Sequence, residues 1–133
     1  MILVVDASIV AALAFPDERP AEAIAAADVM AVATTIAPKL FWYEIHAIGL
    51  KMERRGVMSS RQVDDAFRFI GALPIDAVEP DDSADVIALA RRHMLTFYDA
   101  AYLALALAKN AKLATLDSAL AIAARKEGVL VGA

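Results

Sequence analysis

Hydrophobic positions along the chain switch between short unbroken runs and longer stretches with helical spacing. Residues 2–5, Ile-Leu-Val-Val, are continuous and rich in β-branched side chains. That is the pattern of a strand buried on both faces of a parallel sheet. Residues 9–13 read as a short helix ended by Pro16, and the alanine-rich residues 21–27 as another. Residues 29–36 predict a second strand. Pro38 can open a helix in which Leu40, Phe41, Ile45, Ile48 and Met52 recur on one side up to Gly56. Ser59-Ser60-Arg61-Gln62 has the form of a helix start, continued by Val63, Phe67 and Ile70 to Gly71. Residues 73–78 predict a strand, Asp81-Asp82 the cap of a helix through Met94, and Thr96 precedes a helix over 98–110. The last third reads as strand 112–115, helix 117–126 and strand 129–131. Short buried strands alternating with helices predict an α/β fold, a three-layer α/β/α sandwich around a parallel sheet.

Composition narrows the function classes. A chain of 133 residues with 60% hydrophobic content is expected to form a single domain, residues 1–133, with a substantial core. No repeat or low-complexity tract interrupts it. The longest apolar stretch, around 100–108, has roughly half the length of a membrane helix and is flanked by Asp99 and Lys109, so no membrane insertion is expected. The first residues lack a basic leader, and no export signal is expected. The absence of cysteine excludes disulfides and thiolate metal sites, which fits a cytoplasmic protein and leaves oxygen ligands or the two histidines for any metal. A net charge of −4 argues against an electrostatic nucleic-acid binder and counts mildly against an RNA substrate. That objection weakens if several acids gather around a divalent cation.

Most acids lie in polar company, as Asp17-Glu18, Asp64-Asp65 and Asp81-Asp82 do, and read as solvated surface or helix caps. Four do not. Asp6 ends the first buried strand and Asp117 follows the strand at 112–115. Glu44 shares a helix face with Leu40, Phe41, Ala47 and Ile48, and Asp99 has Leu95, Tyr102 and Leu103 as helical neighbours. Each has a structural explanation too: Asp117 is placed as an N-cap, Asp6 and Asp99 can stabilise helix N-termini, and Glu44 can pair with an arginine. The carboxyl ends of parallel strands line the edge where ligands collect, and Asp6 and Asp117 belong there. Carboxylates gathered in an apolar setting repel one another unless protons or a divalent cation intervene. Hard oxygen ligands suit Mg²⁺ or Mn²⁺. Ser8 and Thr115, each two residues from an acid, are placed to orient it. Asp6, Glu44 and Asp99 are therefore expected to converge on one pocket, close enough to share a cation.

Four segments carry a resemblance over almost the whole chain. They are Val4-Val5-Asp6-Ala7-Ser8, Ala37-Pro38 with Tyr43-Glu44-Ile45, residues 95–102 (Leu-Thr-Phe-Tyr-Asp-Ala-Ala-Tyr), and Ala114-Thr115-Leu116-Asp117 before Leu120. In order and spacing the chain resembles the VapC-type toxins of the PIN-domain family. The resemblance implies a five-stranded parallel sheet and four acids, Asp6, Glu44, Asp99 and Asp117, coordinating Mg²⁺ or Mn²⁺. It also implies RNA cleavage and control by a small cognate antitoxin. One departure is Ala47, three residues after Glu44, where such toxins often carry Asn.

The expected activity is metal-dependent endoribonuclease, with water attack leaving 5′-phosphate and 3′-hydroxyl ends. Two rivals stay open. A haloacid-dehalogenase-like phosphatase also places Asp after its first strand, but it has a second Asp where this chain has Ser8. A non-catalytic module binding metal through the same acids is the other. A dinucleotide site is poorly supported, because no Gly-rich loop follows the first strand. Lys39, Lys51, Arg54, Arg55, Arg91 and Arg92 read as solvated helix faces, His46 and His93 as structural, and Phe41, Trp42, Tyr43, Phe67 and Phe69 as core or interface. Helices this rich in Ala, Leu and aromatic residues predict a homodimer. Light scattering at micromolar concentration should return twice the 14.2 kDa of one chain; a monomer mass would refute it.

Overall fold

The first hydrophobic run becomes β1 (Ile2–Val5), an inner strand with Leu3, Val4 and Val5 completely buried. In the computed structural model, which describes residues 1–15, 19–79 and 82–133, β1 is followed by α1 (Ala7–Ala14), α2 (Ala21–Met30), β2 (Thr34–Ala37), α3 (Leu40–Arg54), α4 (Ser60–Gly71) and β3 (Ile75–Ala77). Then come α5 (Ser83–His93), α6 (Phe97–Ala108), β4 (Lys112–Ala114) and α7 (Ser118–Lys126). The expected roles of Pro16, Asp17, Glu18 and Asp81 lie outside the described residues.

All strand pairs are parallel, in the order β3-β2-β1-β4. The chain thus steps from β1 outward through β2 to β3, then returns to add β4 on the other side of β1. In parallel sheets, that reversal opens a crevice at the carboxyl ends of the two strands flanking it, here β1 and β4. Helices cover the sheet in two groups. α1 packs on α2, α3 and α4, whereas α6 packs on α5, α7, β1 and β4. α6 is apolar nearly all round, and residues 100–106 are buried without a break, as a helix enclosed by its neighbours must be.

Three expected boundaries move. Residues 29–36 are not one strand: Val29 and Met30 complete α2, and the Val29 carbonyl accepts from the Val32 and Ala33 amides at 3.1 and 2.9 Å, closing a turn before β2 begins. The helix-closing hydrogen bonds outweigh the β propensity of Val29 and Val32. Residues 73–78 shorten to β3 because the Leu73 amide still closes α4 through the Ile70 carbonyl. Among the described residues the sheet has four strands, not five. The segment at 129–131 makes a single parallel bridge, Leu130 with Leu113, in which the Leu113 amide donates to the Val129 carbonyl at 2.7 Å. Gly128 and Gly132, at φ 75° and 78°, bend the chain on either side and leave no length for a strand.

The helix caps follow the polar positions. Ser59 and Gln62 form a reciprocal capping box, the Asp82 side chain accepts from the Ala84 amide, and Thr96 accepts from the Asp99 amide. His93, nearly buried, binds Glu127 at 2.6 Å, and Arg92 binds the same carboxylate at 3.0 Å, tying the end of α5 to the end of α7. The hydrogen bonds from His93 and Arg92 hold the Glu127 carboxyl below its ordinary value. His46 binds the Trp42 carbonyl and packs on Phe67. Both histidines are structural, as their surroundings in the sequence suggest. Among the described residues, no helix is long and apolar enough to cross a membrane.

The seat of α3 depends on Gly49. A Cβ there would lie 2.6 Å from two atoms of the Phe67 ring and 3.3 Å from Phe15, and those two rings meet edge to face. Alanine is worth about 1 kcal/mol over glycine inside a helix, whereas overpacking costs about 1–3 kcal/mol. Gly49→Ala should therefore lower the urea midpoint despite its helix propensity. A raised midpoint would show that Phe67 swings aside freely.

Candidate active site

The crevice beside β1 and β4 holds a buried acid. Asp6 follows β1 directly, its amide donates to the Ala114 carbonyl of β4 at 3.0 Å, and the residue is only 6% exposed. It occupies the N-cap position of α1 without a side-chain capping bond. Instead its Oδ2 accepts two hydroxyl protons, from Thr115 at 2.6 Å and from Ser8 at 2.9 Å. Both hydroxyls are themselves oriented. Ser8 Oγ accepts from the Leu116 amide, and Thr115 Oγ1 from the Asp117 amide, each at 3.0 Å. A hydroxyl whose acceptor side is taken by a backbone N–H must turn its one proton elsewhere, and here both protons meet on one oxygen. The positions read as orienting donors in the sequence make those contacts.

Burial pushes the Asp6 carboxyl above its ordinary value, and the Thr115 and Ser8 hydroxyls offset only part of the effect. Glu44, half-buried on α3, is also raised, first by burial and then by the charges of Asp6 and Asp99. Asp99, in the first turn of α6, is raised by burial and by the charges of Asp117 and Asp6. Asp117 uses its Oδ2 to cap α7 through the Leu120 amide at 2.8 Å, so the N-cap explanation holds for it. Its charge still reaches Asp99. The four acids thus share one field at the carboxyl edge of the sheet.

They are not gathered tightly. Among the described residues, no three acid or histidine groups stand close enough together to hold a metal ion. Asp6 and Asp117 lie at the expected edge, after β1 and β4, whereas the expected convergence of Asp6, Glu44 and Asp99 to the spacing of a shared cation is not seen. The face of α3 also differs from the expectation. Phe41, Ile45 and Gly49 face the core, Glu44 and Ile48 lie at its border, and Ala47 is exposed.

A cleft of about 950 Å³ takes in none of the four acids. It is lined by α2, by α7 and by residues 130–133, and meets the site only at Thr115 and Leu116.

One residue at the site escaped the pattern reading. Tyr102, fully buried on α6, donates to Glu44 Oε1 at 2.5 Å. Burial and the Glu44 carboxylate push its phenol far above the ordinary tyrosine range, so it stays a donor. It is the only hydroxyl in the buried stretch 100–106, a signal that an acceptor must lie nearby.

A family model described as PIN domain matches residues 3–126. The chain belongs to the PIN-domain family. Ribonuclease VapC3 of Pyrobaculum aerophilum is 38% identical over 125 residues, covering 91% of this chain and 93% of that protein. The PIN fold is also seen in two more distant structures. PAE2754 from Pyrobaculum aerophilum superposes with a TM-score of 0.67 at 24% identity, over 92% of this chain and 84% of its own. VapC20 of Mycobacterium tuberculosis, a Sarcin-Ricin loop cleaving toxin, does so at 0.63 and 19% identity, over 91% of this chain and 94% of its own. Membership of this family removes the phosphatase alternative, whose fold and motif are different.

The raised Asp6 carboxyl has a consequence for stability. Its folded state binds the proton more tightly than the unfolded chain, so ionised Asp6 subtracts stability from the metal-free protein. The loss is complete above the folded pKa, shrinks as pH falls through it, and vanishes below the unfolded value of 3.8. In chelator at neutral pH, Asp6→Asn should melt above the parent, and the two should converge on acidification. A variant melting below the parent at pH 7 would assign Asp6 a structural role instead.

Proposed function

We propose that this PIN-domain protein is a divalent-cation-dependent endoribonuclease, the toxin of a type II toxin–antitoxin pair. The observation that carries the reading is the buried Asp6 carboxylate, with two hydroxyl protons on one oxygen, in a field of three further acids at the crevice between β1 and β4. Among the described residues Asp6 has no ion-pair partner, and a buried carboxylate repelled by neighbouring acids favours the arrival of a positive ion. The donor set is oxygen alone, which fits Mg²⁺ or Mn²⁺. The relation to Ribonuclease VapC3 supports RNA as the substrate.

In this reading Asp6, Glu44 and Asp99 are the main cation ligands, and a bound ion would draw them closer together than they stand without it. Ser8 and Thr115 hold Asp6 Oδ2 and leave Oδ1 for the cation. Asp117 caps α7 and adds its charge from that position, acting on the cation through water or as a support. A divalent cation bound there would supply Lewis-acid polarisation of water and phosphate and would neutralise the charge that develops on phosphorus oxygens. No side-chain nucleophile is needed, and water attack leaves 5′-phosphate and 3′-hydroxyl ends.

The partners proposed are RNA, a cognate antitoxin and a second copy of the chain. Tyr43 and Leu50 on α3 and Phe69 on α4 are exposed, Tyr43 by 79%, and supply apolar surface for a protein contact. A short reading frame beside the gene, with a DNA-binding N-terminus, should encode the antitoxin, and its product should co-purify with this chain.

Catalysis tests the reading most directly. Asp6→Asn should slow RNA cleavage by about 100-fold or more while remaining folded. Excess chelator should abolish cleavage by the parent, and Mg²⁺ or Mn²⁺ should restore it. Cleavage that persisted in chelator, or Asp6→Asn at the parental rate, would remove the metal-nuclease assignment. Cation binding without cleavage of any RNA would favour the non-catalytic module.

A further inference from the structure

Tyr102 is an anomaly within its own helix. From Ala100 to Ala106 every other residue of α6 is alanine or leucine, and all are buried. A phenylalanine would fill the same volume without a hydroxyl to satisfy. The hydroxyl is satisfied by one group, Glu44 Oε1 at 2.5 Å, which sits 58 positions away on another helix. A phenol carries one proton, and at 2.5 Å that proton lies on the line to Glu44 Oε1. The Tyr102 hydroxyl thus donates to Glu44 as Ser8 and Thr115 donate to Asp6. Glu44 would otherwise be the loosest of the four acids. It has three side-chain torsions, lies one turn inside its helix and is only half-buried.

We infer that Tyr102 is the positioning residue for Glu44: its hydroxyl pins Oε1 and leaves Oε2 as the oxygen offered to a divalent cation. This rests on the reading of Glu44 as a cation ligand given above. Tyr102 does not touch the substrate or the cation; it acts by removing the rotational freedom that Glu44 must lose on binding. Outer partners of this kind typically change metal affinity about 10- to 100-fold. Because the ring of Tyr102 is packed in the core independently of its oxygen, the positioning and packing roles separate on a single atom.

The test is Mn²⁺ binding to the full-length chain, followed by the loss of the free-ion electron paramagnetic resonance signal. Tyr102→Phe should bind Mn²⁺ about 10- to 100-fold more weakly than the parent, with near-ultraviolet circular dichroism retained. The same change in a Glu44→Gln background should weaken binding no further. Parental affinity in Tyr102→Phe, with affinity lost in Glu44→Gln, would overturn the positioning role alone. A parent that takes up no Mn²⁺, or Glu44→Gln at parental affinity, would overturn the nuclease site reading and this inference with it. Should Tyr102→Phe fail to fold, fluorotyrosine incorporated into the parent sequence answers the same question. The Tyr102 fluorine resonance should shift on Mg²⁺ titration and stay fixed in Asp6→Asn. A resonance unmoved by saturating Mg²⁺ in the parent would overturn the inference.

Discussion

A carboxylate buried at the end of the innermost apolar strand is the constraint around which the rest of this molecule is arranged. Asp6 cannot move to solvent, because β1 is fixed on both sides by parallel pairing and on both faces by helices. An ion in that position loses its water and must recover interactions from the protein. The recovery shapes the neighbourhood. Ser8 lies in the first turn of α1, Thr115 follows β4 directly, and the amides of Leu116 and Asp117 orient the two hydroxyls. The loop from β4 to α7 is thereby stitched to the loop from β1 to α1, across the point where the strand order reverses.

Much of this arrangement is legible in the residues. The unbroken apolar run at 2–5, stopped by an acid, predicts a buried parallel strand with Asp6 at its carboxyl edge, and it is found there. Caps at Ser59, Thr96 and Asp117 follow from short polar side chains placed before apolar helices. What the pattern misjudges is length and grouping. Val29 reads as a strand start because β-branched residues favour strands, yet its carbonyl is spent closing α2. Residues 129–131 read as a strand for the same reason, and two glycines at positive φ confine them to one bridge. Periodicity also cannot tell how close two acids come when each is held by a different helix. Convergence of Asp6, Glu44 and Asp99 is a property of tertiary packing, which periodicity along the chain does not carry.

Tyr102 shows a subtler limit. Within 100–106 it looks like one more large core residue, and its ring is that. Only its polar atom carries information about the site, and a reading based on hydrophobic spacing weighs the ring above the oxygen. The useful signal is a lone donor in an otherwise apolar buried helix, which demands an acceptor from elsewhere in the chain.

The choice of partners for the acids bears on what the site can do. Among the described residues, the ion pairs are Arg68 with Asp65, and Arg92 and His93 with Glu127, and none involves Asp6, Glu44, Asp99 or Asp117. An arginine beside Asp6 would stabilise the carboxylate, lower its pKa and compete with any incoming cation for the same charge. Hydroxyl donors behave differently. They fix the direction of an oxygen while leaving its negative charge almost intact, so the site keeps its field and remains destabilised for as long as no cation is bound. Mutual repulsion and burial then act in the same direction. They weaken the metal-free protein and raise the free energy released when a divalent ion arrives. A cluster neutralised by arginines would be the more stable scaffold and the weaker cation site, and the hydroxyls at 8, 102 and 115 place this protein on the other side of that exchange.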